Sequence, residues 1–394
     1  MCPRGHTGSA ASGSRGRVVG EVYIWHVGNP STSFQIFNPL SNILSGFGSG
    51  IAVSGDGRTV AVGMPNGPGK LNANAGLVFV YSAPFYDKTA TLYASNGKSG
   101  DGYGSSLAIN QDGSIIAVGA PGIPYTFPFI PPVTVPRVGG AYLEYGQGYD
   151  SEQEYGGQFS TGDPRSEQGG EGFGTGVALD ATGATLVVGE PGYDPTGSEA
   201  GAIDVFNTSG LGSRVALLTA SDPGTVDQLG TNVAVSADGT VVVGGTPDKT
   251  GTFANQGAAY VFSGTNYGTQ KKLLAPSPAD SDYFGYSVAV NGNGSTVAIG
   301  TFNKNYAYIY GGTGYGLVQP LTSSTTLSGF GDSVALSADG STLVIGSPSQ
   351  PDGAISRAGI VHVFTAQTAN SLPPPQPPGP HNSTNPAPIP PRRP

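Results

Sequence analysis

The chain has 394 residues but only one cysteine, one tryptophan and two methionines, and 11% of it is charged. The single cysteine, Cys2, cannot close an internal disulfide, so neither an oxidising nor a reducing compartment is excluded. So few Lys, Glu and Arg leave little material for long solvated helices. No run of about 18 apolar residues is present, which excludes a membrane-spanning helix. Seventeen basic residues face 26 acidic ones, a net charge of −9 with no basic stripe. That pattern argues against nucleic acid as a partner. The opening, "MCPRGHTGSAASGSRGRVVG", lacks the apolar segment of a signal peptide. Either the protein stays inside the cell or the chain starts short of its true N-terminus.

Catalytic signatures are equally scarce. There is no Gly-x-Ser-x-Gly elbow, no His-Glu-x-x-His and no P-loop. Of four histidines, His6 and His381 lie in the tails, and His26 and His362 lie on strands. Neither strand histidine has a second His or Cys at metal-ligand spacing, so packing is their expected role.

Glycine (65) and proline (33) are abundant, and they punctuate a repeat. Six copies begin at Phe47, Tyr103, Phe173, Leu229, Phe284 and Phe330. Subtraction gives spacings of 56, 70, 56, 55 and 46 residues. The last copy reads "FGDSVALSADGSTLVIGSP". Each is an antiparallel hairpin: an aromatic-glycine start, a strand, an Asp-Gly turn, a second apolar strand and a Gly-x-Pro stop. Val334 and Leu336 point to one face and Ala335 to the other, because strand side chains alternate. The turns are Asp56-Gly57, Asp112-Gly113, Asp238-Gly239 and Asp339-Gly340, with Thr182-Gly183 and Asn293-Gly294 as variants. Glycine supplies the positive φ such turns need.

A third strand follows each hairpin, for example "AGLVFVY" and "GAAYVF", and in most copies a fourth. Small sheets apolar on both faces must be covered on both sides. The expected fold class is therefore all-β, a β-propeller of four-stranded antiparallel blades. Residues 20–366 form the propeller, 1–19 precede it, and 367–394 are a Pro-rich spacer. "GEVYIWHV" (20–27) and "SFQIFNP" (33–39) read as a lone third and fourth strand. The expectation is that "SFQIFNP" completes the last blade. That makes six complete blades and leaves "GEVYIWHV" as the remnant of a truncated seventh.

The Phe-Gly opening, the "VGAP" at 118–121 and the "GAAYVF" third strand resemble the FG-GAP repeat. That family builds the propeller of integrin α subunits and of bacterial and algal surface proteins. The resemblance spans residues 20–364. It implies a non-catalytic binding or adhesion module whose rim loops meet a protein or glycan at a cell surface or matrix. It also implies calcium loops of the Asp-x-Asp/Asn-x-Asp-Gly kind, but here the loops are short, such as "SGDGRT" and "NGNGST". Each offers one carboxylate or none, whereas Ca²⁺ takes six to eight oxygens. No cofactor and no metal is therefore expected. Two alternatives stay open. The "SADGTVVVG" hairpin also resembles lactonase-type propellers, which would place an enzyme site in the central channel. The chain could also be a purely structural wall component.

Four acids, Asp101, Glu171, Asp227 and Asp282, sit two residues before the aromatic-glycine, with Ser45 and Ser328 in the other copies. Serine in the same place favours a loop hydrogen-bonding role over a ligand ring. The two largest insertions, 121–137 and 146–172, are expected to project from one rim. Candidate ligand residues there are Tyr125, Phe127, Phe129, Ile130, Tyr149 and Tyr155. Sequons at Asn207, Asn293 and Asn382 would accept glycans if the chain is exported. The run at 373–394 holds 11 prolines and should be extended polyproline II. A stalk or wall-embedding spacer is its first reading, and "PIPPRR" also fits a ligand for SH3 domains.

Overall fold

The computed structural model describes residues 3–7, 20–26, 29–40, 46–123, 125–127, 133–135, 138–156, 172–194, 199–209, 212–302, 304–323, 329–351 and 359–365. Phe129, Ile130, Glu171, Ser45, Ser328, His381 and Asn382 lie outside these residues. Apart from one 3-10 turn at Thr265–Tyr267, every regular element among them is a strand.

Each of the six repeats forms its own antiparallel sheet, with strands side by side in chain order. Five of these blades have four strands. Blade 1 is Ile51–Val53, Thr59–Met64, Leu77–Ser82 and Asp87–Leu92. Blade 2 is Ser106–Ile109, Ile116–Ala120, Gly140–Tyr145 and Ser151–Tyr155. Blade 3 is Val177–Leu179, Thr185–Glu190, Ala202–Asn207 and Ser213–Leu218. Blade 4 is Val233–Val235, Val242–Thr246, Ala258–Ser263 and Thr269–Leu273. Blade 5 is Ser287–Val290, Thr296–Gly300, Tyr306–Gly311 and Gly316–Thr322. Blade 6 has three among the described residues: Ser333–Leu336, Thr342–Ser347 and Ile360–Thr365. The blades form a propeller, and their inner strands neighbour one another in order.

The N-terminal segment departs from expectation. Asn29–Phe37 pairs with Glu21–His26 and not with the last blade. Pro3–Thr7 pairs with the other edge of Glu21–His26, so a seventh, three-stranded sheet results. The reason is local. Two strands joined by a short turn pair at little entropic cost. The hairpin then buries Val22, Ile24 and Ile36 against Val60, Val62 and Phe79 of blade 1.

Blades cohere through both faces. Val243, Val261 and Leu273 of blade 4 pack on Phe284, Val297 and Ile299 of blade 5. All are nearly inaccessible. Burying each such side chain contributes about 1.5–3 kcal/mol before entropy is counted. In blade 1 the second and third strands are buried almost throughout, whereas the inner strand is only half-buried.

The glycines of the repeat explain why blades approach so closely. Gly104, of the aromatic-glycine pair, has φ +92°, and a Cβ on Gly63 of the preceding blade would overlap its carbonyl oxygen. The same overlap joins Gly119 to Gly174, Gly189 to Gly230, Gly245 to Gly285 and Gly300 to Gly331. Backbone therefore rests on backbone at five successive junctions. Parallel bridges reinforce them, pairing Gly76 with Tyr103 and Gly257 with Phe284. Gly20 meets the Phe47 carbonyl in the same way, so the N-terminal sheet sits where a blade would sit.

Candidate functional site on the loop rim

The Asp-Gly turns are self-contained. Asp112 Oδ1 accepts the Ser114 N–H and hydroxyl, and Asp238 Oδ1 does the same for Thr240. These bonds hold both carboxyls below their usual range, although burial pushes the Asp238 carboxyl the other way. Asp339, bonded in the same way to Ser337 and Ser341, is lowered to about 2. The side chains are occupied in shaping the turn.

The acids that precede each blade are also committed to their loops. Asp101 Oδ2 accepts the Lys98 N–H, Asp227 Oδ2 the Gly224 N–H and Asp282 Oδ2 the Ala279 N–H. Each bond spans three residues and closes the entry loop. In blade 4 the buried Lys249 ammonium adds an ion pair of 2.6 Å to Asp227. In blade 5 Lys304 lies 3.6 Å from Asp282.

Tyr149 belongs to a device that sequence reading missed. Tyr86, Tyr149, Tyr267 and Tyr315 all sit in the turn between third and fourth strands with φ between +53° and +59°. Each hydroxyl donates to the carbonyl of the hairpin glycine, Gly57, Gly113, Gly239 or Gly294. Thr208 makes this bond to Gly183 in blade 3. These tyrosines tie together the two turns on one rim. The visible signal was a tyrosine recurring just past the third strands of blades 1, 2, 4 and 5. Tyr155 ends an outer strand, is 4% exposed and packs edge-on against Phe206. Tyr125–Phe127 forms a ribbon with Val133–Val135 in the loop between second and third strands of blade 2. Asn207 and Asn293 are exposed, each accepting the N–H two residues on. His362 lies against Phe330 with Nε2 3.1 Å from Gln350 Oε1, and burial lowers its pKa.

The opposite rim carries the second-to-third loops and the blade crossings. There, one position on the third strand differs instructively between blades. In blade 2 it is Tyr142, whose hydroxyl donates to Asn96 of the crossing and faces Glu154 of the outer strand. In blade 4 it is Tyr260, bonded to Asp222 and covered by Lys272, whose ammonium lies 5.9 Å from the ring. In blade 5 it is Tyr308. The crossing now offers only Ser277, and the outer-strand partner is Pro320, which has no reach. Proline is tolerated there because an edge strand leaves its N side unpaired.

The space that Asn96 and Asp222 close elsewhere is thus open in blade 5. It forms a cleft of about 700 Å³ at the rim. Tyr306 and Tyr308 stack along one wall, rings 6.3 Å apart at 23°. Pro276 and Pro320 flank them, and the Asp282–Lys304 pair closes one end. Burial, then the charges of Asp282 and Tyr306, pushes Tyr308 up to about 12. Its hydroxyl is therefore a neutral donor, and among the described residues it has no hydrogen-bond partner. Leu317, 43% exposed, lines the outer lip. Such a surface can stack and donate hydrogen bonds. Among the described residues, no three His, Cys, Asp or Glu side chains converge on a point that could hold a metal. No helix among them is long and apolar enough to cross a membrane.

Comparison with known proteins agrees with this architecture. The β-propeller domain of Cps50 (Swd1) from Myceliophteria thermophila superposes with a TM-score of 0.57, covering 89% of this chain and 92% of that one. At 13% identity, that likeness concerns the fold alone. No curated protein matches the chain. The FG-GAP repeat model matches residues 86–124, 213–262 and 267–314, stretches that fall in blades 1 to 5. With the repeat unit forming one blade six times over, the chain is a β-propeller that carries FG-GAP repeats.

Proposed function

We propose that the protein is a non-catalytic adhesion module, working at a cell surface or matrix, that holds its partner on the rim of crossings and second-to-third loops. The propeller fold suits a binding or structural role in general. The observation that favours this rim is the blade 5 cleft. Blades 2 and 4 fill the equivalent space from within, and blade 5 leaves an aromatic wall, with Tyr306 exposed, and a Tyr308 hydroxyl with no partner among the described residues. A concave, partly apolar site with a few polar groups is the usual form of a recognition pocket.

Beads coated with the full chain and applied to cells of the source organism test the reading. Tyr306→Ser with Leu317→Ser should lower bead retention at least tenfold. Phe85→Ser, at a residue 72% exposed in the turn between third and fourth strands of blade 1, should leave it unchanged. Equal retention of all three chains would refute the assignment of the rim.

A further inference from the structure

We propose that the blade 5 cleft takes a polyproline II segment, and that its resident occupant is this chain's own Pro-rich run at 373–394. The inference rests on the reading of the cleft as a contact site and names its ligand class. Polyproline II has three residues per turn and no internal hydrogen bonds, so its carbonyls stay free. Grooves lined by aromatic rings recognise it by stacking on proline rings and donating to those carbonyls. The cleft has both elements. Tyr306 and Tyr308 are stacked and flanked by Pro276 and Pro320, and the Tyr308 hydroxyl has no partner among the described residues.

Charge and reach select the occupant. The run ends "PAPIPPRRP", with Arg392 and Arg393 directly after its last proline pair. The cleft end carries Asp282, paired with Lys304, and Asp280 beside it in the crossing, so acids outnumber the one lysine there, and the protein as a whole has a net charge of −9. Blade 6, whose third strand ends at Thr365, packs on the face of blade 5 opposite Tyr308: Phe364 and Leu321 belong to one apolar cluster. The chain must run back along a strand of six residues, about 20 Å, and pass the outer edge of blade 5, about 10 Å more. The twenty residues from 366 to 385 can span about 60 Å in extended form. Tethering gives the segment an effective concentration that a free peptide lacks. A surface partner with a proline-rich chain would then bind by displacing it.

The test places the photo-crosslinker p-benzoylphenylalanine at Leu317 in the full chain, and at Phe85 as the opposite-rim control. The proposal expects adducts to residues 373–394 of the same molecule, at least tenfold more from position 317 than from 85. Replacing Pro388, Pro390 and Pro391 together by alanine should abolish them. Mixed light and heavy isotope-labelled chains identify the donor. Adducts found only between differently labelled chains would assign the cleft to a second copy and overturn the proposal. So would adducts elsewhere, or none. If no tail adduct forms while Tyr306→Ser with Leu317→Ser still lowers bead retention, this inference fails and the rim assignment stands.

Discussion

Glu144 should make the protein lose stability between pH 4.5 and 7. It is 4% exposed, on the third strand of blade 2. Every other repeat has an aromatic at this position: Tyr81, Phe206, Phe262, Tyr310 or Phe364. Burial, with the facing Glu152 as a lesser cause, pushes the Glu144 carboxyl from 4.5 up to about 7, although the Tyr103 hydroxyl donating to Oε1 acts the other way. Below pH 4.5 the group is protonated in folded and unfolded chains alike, so it contributes no pH dependence. As pH rises toward 7, the unfolded chain releases this proton and the folded chain keeps it. Stability therefore falls across that window and levels off above it. A gap between 4.5 and about 7 corresponds to about 3 kcal/mol. Glu144→Gln keeps an acceptor for Tyr103 and gains a donor for Glu152, but cannot ionise. Urea unfolding at pH 5, 6, 7 and 8 would measure both proteins. The variant's advantage over the native chain should grow with pH, reaching about 3 kcal/mol by pH 8. A difference that stays constant across the range would refute the reasoning, since other titrating groups cancel between the two.

Two further outcomes follow from the blade junctions and the buried ion pair. Gly245→Ala puts a Cβ into the Gly285 carbonyl, with backbone on both sides and nothing flexible to move, so urea unfolding should show a loss of about 3 kcal/mol. Gly316→Ala meets nothing within 4 Å and should change stability by less than about 0.5 kcal/mol. Lys249→Met strands the Asp227 carboxylate, 1% exposed, and should cost about 3–5 kcal/mol in the same assay. Adding Asp227→Asn should recover most of that loss, and no recovery would mean that the ammonium matters for packing rather than for charge.

The propeller was legible because its grammar is local and repeated. Aromatic-glycine, alternating strand, Asp-Gly and Gly-x-Pro each name a backbone event, and six copies in register leave few other architectures. The place of "SFQIFNP" was not legible. Alternation shows that a segment is a strand, but it does not name the neighbour that the strand pairs with. The cleft was also hidden. It comes from two ordinary residues, Ser277 and Pro320, standing where Asp222 and Lys272 stand in blade 4. Only cross-strand register shows that both face the same tyrosine. Tyr149 and Tyr155 stand in a long insertion, and their sequence positions do not show what each touches. One is bonded to a hairpin carbonyl, and the other packs between strands.

Closing the cleft with the molecule's own solution tests the account most directly. Ser277→Asp with Pro320→Lys gives blade 5 the cover that Asp222 and Lys272 give Tyr260. Bead retention by source cells, measured beside urea stability, should fall at least tenfold while stability is kept or raised. Full retention by a chain whose Tyr308 is covered in this way would contradict the account.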